Sequence, residues 1–198
     1  MSEVDVKNLI IESATKFFSK FGFNKTRVDE IARHTHKAKG VIYYYFKSKE
    51  ELFNEVLKQE LGSVQAELSQ IIIEGSDSLT TLKEYILVRL KLLHDAVNYH
   101  ETLKADFFEK YYFVKDVRDN FNNFERNQLT YILKKGKEEG YLDFKDINSA
   151  VNIIMMVLNG IEIPLFLQNK YAEYESTFDE LATMIVSGLR NQKQNKNL

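Results

Sequence analysis

The chain has 198 residues, of which 44% are hydrophobic and 28% charged, with a formal net charge of −2. That is enough apolar material for a packed core and enough length for one large or two small domains, which argues against disorder. Cysteine is absent, which excludes disulfides, thiolate metal sites and cysteine nucleophiles, and one proline with eight glycines is too little turn material for a β-sandwich or barrel.

The first six residues, Met-Ser-Glu-Val-Asp-Val, are acidic and lack the apolar stretch of a secretory signal. Residues 4–21 place Val6, Leu9, Ile10, Ala14, Phe17, Phe18 and Phe21 at helical spacing, and Gly22 stands where a helix commonly ends. Thr26 and Asp29 form a capping pattern that opens a second, short helix through His34, with Asp29 and Glu30 in its first turn. A third short helix is expected from Ala38 to Tyr45. Ser48 and Glu51 then form another capping box, launching a long helix through Leu52, Phe53, Val56, Leu57 and Leu61.

Three helices within residues 1–47, the last two joined by a tight turn, make a helix-turn-helix layout. Its third helix carries Tyr43, Tyr44 and Tyr45 in succession. Neighbours on a helix point about 100° apart, so three rings cannot share one buried face. Lys39, Tyr43 and Tyr44 are expected to face outward, and Ile42, Tyr45 and Phe46 to face the core. Exposed aromatics among Lys39, Lys47 and Lys49 suit a phosphate backbone and base edges. Charge is distributed accordingly: residues 1–50 hold ten Lys/Arg against six Asp/Glu, and the remainder hold 17 against 23.

Beyond residue 48 the helices lengthen. Gly75 to Ser78 reads as a loop and cap, followed by helices over 78–99, 101–114 and 116–139, the last ended by Gly140. Asp146 caps a strongly apolar helix to about Gln168, in which Pro164 makes a kink or end. Ser176 and Asp179 cap a final helix through Leu189. The longest uninterrupted apolar run, Ile153 to Leu158, is too short to span a bilayer, so no membrane partner is expected. The fold class is all-α.

The stretch Lys39-Gly40-Val41-Ile42-Tyr43-Tyr44-Tyr45-Phe46-Lys47-Ser48-Lys49-Glu50-Glu51-Leu52-Phe53, with Ala14, Gly22-Phe23, Thr26, Val28 and Ile31-Ala32 before it, resembles the TetR family of bacterial transcriptional repressors. The match covers about residues 10–55, with a weaker echo in Gly136-Lys137-Glu138-Glu139-Gly140-Tyr141-Leu142. The resemblance implies a helix-turn-helix DNA-binding domain over 1–47, a helical effector-binding and dimerisation domain over 48–190 and a polar tail over 191–198. It also implies a cytoplasmic homodimer on a palindromic operator, relieved by a small ligand. Lys39, Gly40, Val41, Tyr43, Tyr44 and Tyr45 fall on the recognition helix, Lys49 on a phosphate contact, and Thr26 and Arg27 on the helix that touches the backbone. The turn Thr35-His36-Lys37-Ala38 departs from the family pattern. His36 stands at a position expected near a left-handed conformation, Ala38 forgoes a capping serine, and His36 and Lys37 add basic groups beside the DNA.

The aromatics of residues 99–131 serve mostly as core. Among them Phe107, Phe108, Tyr111, Tyr112, Phe124 and Tyr131 are the candidates for an apolar or aromatic effector pocket of the kind the family implies, with Asn98 or Glu101 as polar anchors. The helix from 147 to 167 is apolar on nearly every side, which asks for a partner chain as well as a core. Met155, Met156, Asn159, Ile163, Met184 and Ile185 are the candidate dimer contacts. His34 and His36 are two apart and His94 and His100 six apart, neither a metal-binding spacing on a helix. No nucleophile elbow, phosphate loop or dinucleotide fingerprint occurs, so neither cofactor nor enzyme is expected. Two other readings stay open: control by a protein partner, and a helical ligand-binding or scaffold protein that has lost DNA binding.

Overall fold

A computed structural model of the chain describes residues 3–106 and 108–191, apart from the side chains of Asp106 and Lys110. Among these residues every regular element is helical, and one isolated bridge joins Leu142 to Arg190. The helices are α1 (Glu3–Lys25), α2 (Val28–His34), α3 (Lys39–Tyr45), α4 (Lys49–Glu74), α5 (Ser78–Asp95), α6 (Lys115–Glu138), α7 (Ile147–Glu162), α8 (Tyr171–Tyr174) and α9 (Phe178–Leu189). They form two compact units. One holds α1 to α3, α4 up to Ser63, and residues Ala96 to Asp119; the other holds α4 from Val64, α5, and the chain from Asn120 onward.

In the first unit α1 breaks at the glycine expected to end it, and only a short helical turn to Lys25 follows. Gly22 sits at φ 77°, a conformation closed to most side chains, and kinks the helix there. Thr26 does not cap α2. Its hydroxyl lies 2.9 Å from the Gly22 carbonyl and 3.1 Å from that of Phe17, and the residue is buried. The N-cap of α2 is Arg27, whose backbone N–H donates to the Glu30 carboxylate at 3.1 Å. The box at α4 forms as expected: the Glu51 N–H donates to Ser48 Oγ at 3.1 Å, and the Glu51 carboxylate accepts the Lys47 N–H at 2.6 Å.

The helix expected over 101–114 is instead two 3₁₀ segments, Tyr99–Asp106 and Glu109–Val114, separated by extended backbone at Phe108. The cause lies in α4. The Glu60 carboxylate accepts the backbone N–H groups of Asn98 (3.3 Å) and Tyr99 (2.8 Å) and so starts a new turn there. The Asn54 amide donates to the Phe113 carbonyl at 3.0 Å, holding the other end on the same helix. Residues 96–119 therefore pack with the N-terminal helices.

In the second unit, Asp146 caps α7 through the Ser149 N–H at 2.7 Å. Pro164 has no N–H, and the helix widens after Glu162 into a π-helical turn, Ile163–Leu167. The expected Ser176 cap is absent. A 3₁₀ turn, Glu175–Thr177, leads into α9, and Thr177 is its N-cap residue. The motif at the end of α6 has a steric reason. A Cβ on Gly136 would lie 2.5 Å from Leu142 and 2.8 Å from Ser78 Oγ, so only glycine lets the following segment fold back.

The stretch Ile147–Leu167 is long and apolar enough to cross a membrane by length and composition, contrary to the estimate from the uninterrupted apolar run. Its Glu162 is fully buried and ion-paired to Arg89 of α5 at 2.7 Å, as a core helix requires.

Candidate nucleic-acid interface

The α2–α3 turn is closed by backbone hydrogen bonds from His36 N–H to Arg33 (3.2 Å) and from Lys37 N–H to Ala32 (3.0 Å). His36 adopts φ 52°, the left-handed conformation anticipated for that position. Ala38 is the N-cap of α3 and makes no side-chain cap bond. Thr35 is buried, its hydroxyl 2.9 Å from the Ile31 carbonyl, and so pins the turn from inside. His34 is exposed and leans on α1, with Nδ1 2.9 Å from Ser13 Oγ and its ring edge-on to Phe17.

α3 has two sharply different sides. Ile42 and the following Phe46 are each 1% exposed and anchor the helix in the core. Tyr43 is 42% and Tyr44 72% exposed, while Tyr45 is half-buried and burial raises its phenol pKa. Gly40 opens onto solvent, since a Cβ there would meet nothing within 4 Å. Backbone at this helix start can therefore approach an anion closely.

The Lys39 ammonium lies 2.9 Å from an Asp29 carboxylate oxygen and 5.9 Å from the centre of the Tyr43 ring. The hydrogen bond between them raises the lysine pKa and lowers that of Asp29. Exposed Arg27 and His36, with half-buried Lys37 and Val41, complete the surface around Gly40, Tyr43 and Tyr44. Two expected members lie elsewhere. Thr26 is buried under the α1–α2 corner, and the Lys49 ammonium turns inward, donating to the Phe23 carbonyl at 2.9 Å and the Thr26 carbonyl at 3.2 Å.

The effector candidates are not brought together. Phe107 lies outside the described residues. Phe108 and Tyr112 are exposed on the outer side of the 3₁₀ segments, whose inward side is Leu103, Tyr111 and Val114. Tyr111 is buried and receives the Asn24 amide at 2.6 Å. Phe124 stacks on Phe121 in the other unit, and Tyr131 is exposed beside Ile72 and Ile73 in an open groove.

The interior of the second unit holds a polar cluster that periodicity alone hides. Arg89 of α5 pairs with Glu125 of α6 and with Glu162 of α7, and it also donates to Asn159 at 3.2 Å. Arg89, Glu125 and Glu162 are fully buried. Burial pushes the Glu125 carboxyl above its usual range, against the pull of Arg89. The available signal was a charge on an apolar stripe: Arg89 falls in line with Leu82, Tyr85, Ile86 and Leu93.

The candidate dimer contacts divide. Met156 and Met184 are strongly exposed, and Ile163 and Ile185 half-exposed. Met155 is buried within its own unit, and Asn159 is turned to Arg89. A groove of about 300 Å³ runs between α7 and α9, lined by Ile153, Val157, Met184, Ile185 and Gly188 among others.

A short helix seated by Ile42 and Phe46, held at a fixed turn from α2 and offering tyrosines and a lysine outward, has the arrangement of a helix-turn-helix. Residues 10–56 match the family model for bacterial regulatory proteins of the tetR family. The chain is 27% identical over 161 residues to the HTH-type transcriptional regulator QacR of Staphylococcus aureus, covering 80% of this chain and 85% of that one. A transcriptional regulator from Cytophaga hutchinsonii superposes with a TM-score of 0.79 at 25% identity, covering 92% and 97%. FadR from Bacillus subtilis, solved in complex with stearoyl-CoA, superposes with a TM-score of 0.72 at 21% identity, covering 92% and 98%. Residues 10–56 thus form a DNA-binding domain of the tetR type, and the chain is a DNA-binding transcriptional regulator.

Proposed function

We propose that the chain is a repressor that binds a near-palindromic operator as a homodimer in the cytoplasm and releases it when a small molecule binds the helical domain. The observation that carries the DNA-facing part is the two-sidedness of α3: Ile42 and Phe46 are buried while Tyr43, Tyr44 and the start at Lys39-Gly40 are open. On this reading Lys39, Gly40, Tyr43 and Tyr44 meet the major groove. Arg27, His36 and Lys37 meet the flanking backbone, where lysine and arginine contacts make affinity salt-dependent.

The dimer is proposed through α7 and α9. An apolar strip with Ile153 60%, Met156 74% and Met184 66% exposed is unusual on a monomer surface, and a twofold partner would bury it. Two recognition helices about 34 Å apart would then read successive major grooves. The functional division proposed is a head over 1–47 and a regulatory part over 48–190. The regulatory part carries no catalytic role. An apolar effector there is supported by the stearoyl-CoA complex of the FadR relative, a protein of the same fold. Linkage requires that whatever the effector does to DNA affinity, DNA does equally to effector affinity.

The test is selection of duplexes from a random pool by the purified chain, followed by light scattering of the complex. Enrichment of an inverted repeat bound by two chains supports the reading, and no enrichment over unselected DNA rejects it. Adding stearoyl-CoA to the selected complex tests the effector class, with release expected.

A further inference from the structure

We propose that Asp29 is a positioning residue for Lys39. Its carboxylate aims the ammonium at the base edges and cancels its charge toward the backbone, so the pair carries sequence preference rather than general affinity. This rests on the DNA-binding reading above and adds one residue to it.

A carboxylate is out of place on a surface that must meet phosphates, where lysine and arginine add affinity and an acid subtracts from it. Yet the first turn of α2 carries two acids, Asp29 and Glu30. Glu30 serves its own helix, accepting the Arg27 N–H at 3.1 Å. Asp29 reaches across the turn instead and accepts from the Lys39 ammonium at 2.9 Å. The first turn of α3 has no acid of its own, so the counter-charge for Lys39 comes from α2.

Lys39 is held from two sides. Its ammonium lies on Asp29, and 5.9 Å from the centre of the Tyr43 ring one turn further along α3. A lysine has a long flexible stem, and a free one samples many positions along a groove. Between a carboxylate on α2 and a ring on α3 this one is confined beside Gly40 and Tyr43, where the helix is open. The two side chains are 51% and 47% exposed, so the pair can still be reached by a base edge. The ammonium keeps N–H donors beyond the one given to Asp29, and these suit guanine O6 and N7.

Electrostatics point the same way. The hydrogen bond from Lys39 holds the Asp29 carboxyl below its usual range, and the same bond raises the lysine, so both stay charged at neutral pH and together sum to zero. Such a pair displaces no counterion from the backbone, whereas a lysine freed from it and moved onto a phosphate would add about 0.9 to the salt slope.

The experiment is a double-mutant cycle in the full chain: wild type, Asp29→Asn, Lys39→Met and both together. Titration of the Asp29 carboxyl by NMR is read without DNA. Binding is read by anisotropy on a duplex enriched by the wild-type chain and on a mixed-sequence duplex, each over a salt series. The Asp29 titration should move up in Lys39→Met, and an unmoved titration overturns the pair. In Asp29→Asn we expect tighter binding to the mixed-sequence duplex with a salt slope steeper by about 0.9, and a preference for the enriched duplex reduced roughly tenfold. In the Lys39→Met background, Asp29→Asn should leave that preference unchanged. Equal tightening on both duplexes would make the carboxylate a source of background repulsion only and overturn the proposal. A loss of preference that persists without Lys39 would mark a general loosening of α2 and overturn it too. If the wild-type chain enriches no duplex, the DNA-binding reading falls and the role of Asp29 falls with it, whereas an enriched duplex with no change in Asp29→Asn sinks the role alone.

Discussion

The side-chain amide of Asn24 donates to the Tyr111 hydroxyl at 2.6 Å, tying the end of α1 to a 3₁₀ turn 87 positions further along the chain. Tyr111 is 2% exposed, and burial, with Glu101 nearby, raises its phenol pKa. Its ring lies 6.3 Å from Phe23 and 6.5 Å from Phe113. Tyr111→Phe keeps the ring and removes the hydroxyl, with its hydrogen bonds to Asn24 and Glu101, and Asn24 is exposed enough to find water instead. The expected loss in denaturant unfolding is therefore about 1 kcal/mol, against about 3–5 kcal/mol for Tyr111→Ala, which also empties the aromatic cluster.

Arg89 is ion-paired to two enclosed carboxylates, and its replacement should be costly. Arg89→Met removes the guanidinium from between the buried Glu125 and Glu162, for an expected loss of about 3–5 kcal/mol in chemical unfolding. Glu125 also predicts a pH dependence. Its folded pKa is raised by burial, so its contribution to stability is complete below the ordinary carboxylate value and is lost as pH rises through the raised one. Glu60, raised by burial in the other unit, acts in the same direction. Unfolding followed from about pH 4 toward neutrality should show a decline, and Glu125→Gln should flatten part of it. An identical pH profile in the variant would remove Glu125 as its source.

What could be read from the chain alone was what short-range geometry fixes. The two faces of α3 follow from helical spacing, and the α4 box from Ser48 and Glu51 being three apart. The left-handed residue at His36 followed from family resemblance at a turn. What could not be read depends on partners distant in sequence. Nothing local says that Lys49 bends back to Phe23, or that Glu60 will claim the Asn98 and Tyr99 amides and break a helix into 3₁₀ turns. The aromatic density near residue 110 suggested one pocket. Tyr111 instead faces the N-terminal helices while Phe108 and Tyr112 face out, a split that depends on the 3₁₀ geometry. Threonine is often a cap, yet the Thr26 hydroxyl turns back to the Gly22 carbonyl, which also accepts the Thr26 N–H.

Within α3, adjacent residues should fail in opposite ways. Tyr44→Ala removes an exposed ring and should leave unfolding unchanged while weakening the selected duplex by roughly tenfold. Ile42→Ala empties a site that is 1% exposed and should cost about 2–5 kcal/mol of stability, with DNA affinity lost through unfolding. Running thermal unfolding and anisotropy on the same preparations separates the two. A Tyr44→Ala protein that binds the selected duplex as tightly as wild type would remove this residue from the interface.

The α7–α9 face makes a prediction about assembly that is independent of DNA. Met156 is 74% and Met184 66% exposed, and Met184 lines the apolar groove between α7 and α9. Met155, one residue from Met156, is 4% exposed and packs inward. Met156→Glu places a charge where a twofold partner would have to desolvate it against its own copy, so dimers should dissociate to monomers in sedimentation or light scattering. Met155→Ala should instead lower stability by about 2–5 kcal/mol through the cavity it leaves in the monomer. The charge variant should keep its helical circular dichroism, and the cavity variant should keep its dimer mass at temperatures where it remains folded. If Met156→Glu runs at the same mass as wild type at micromolar concentration, the dimer is built on another face.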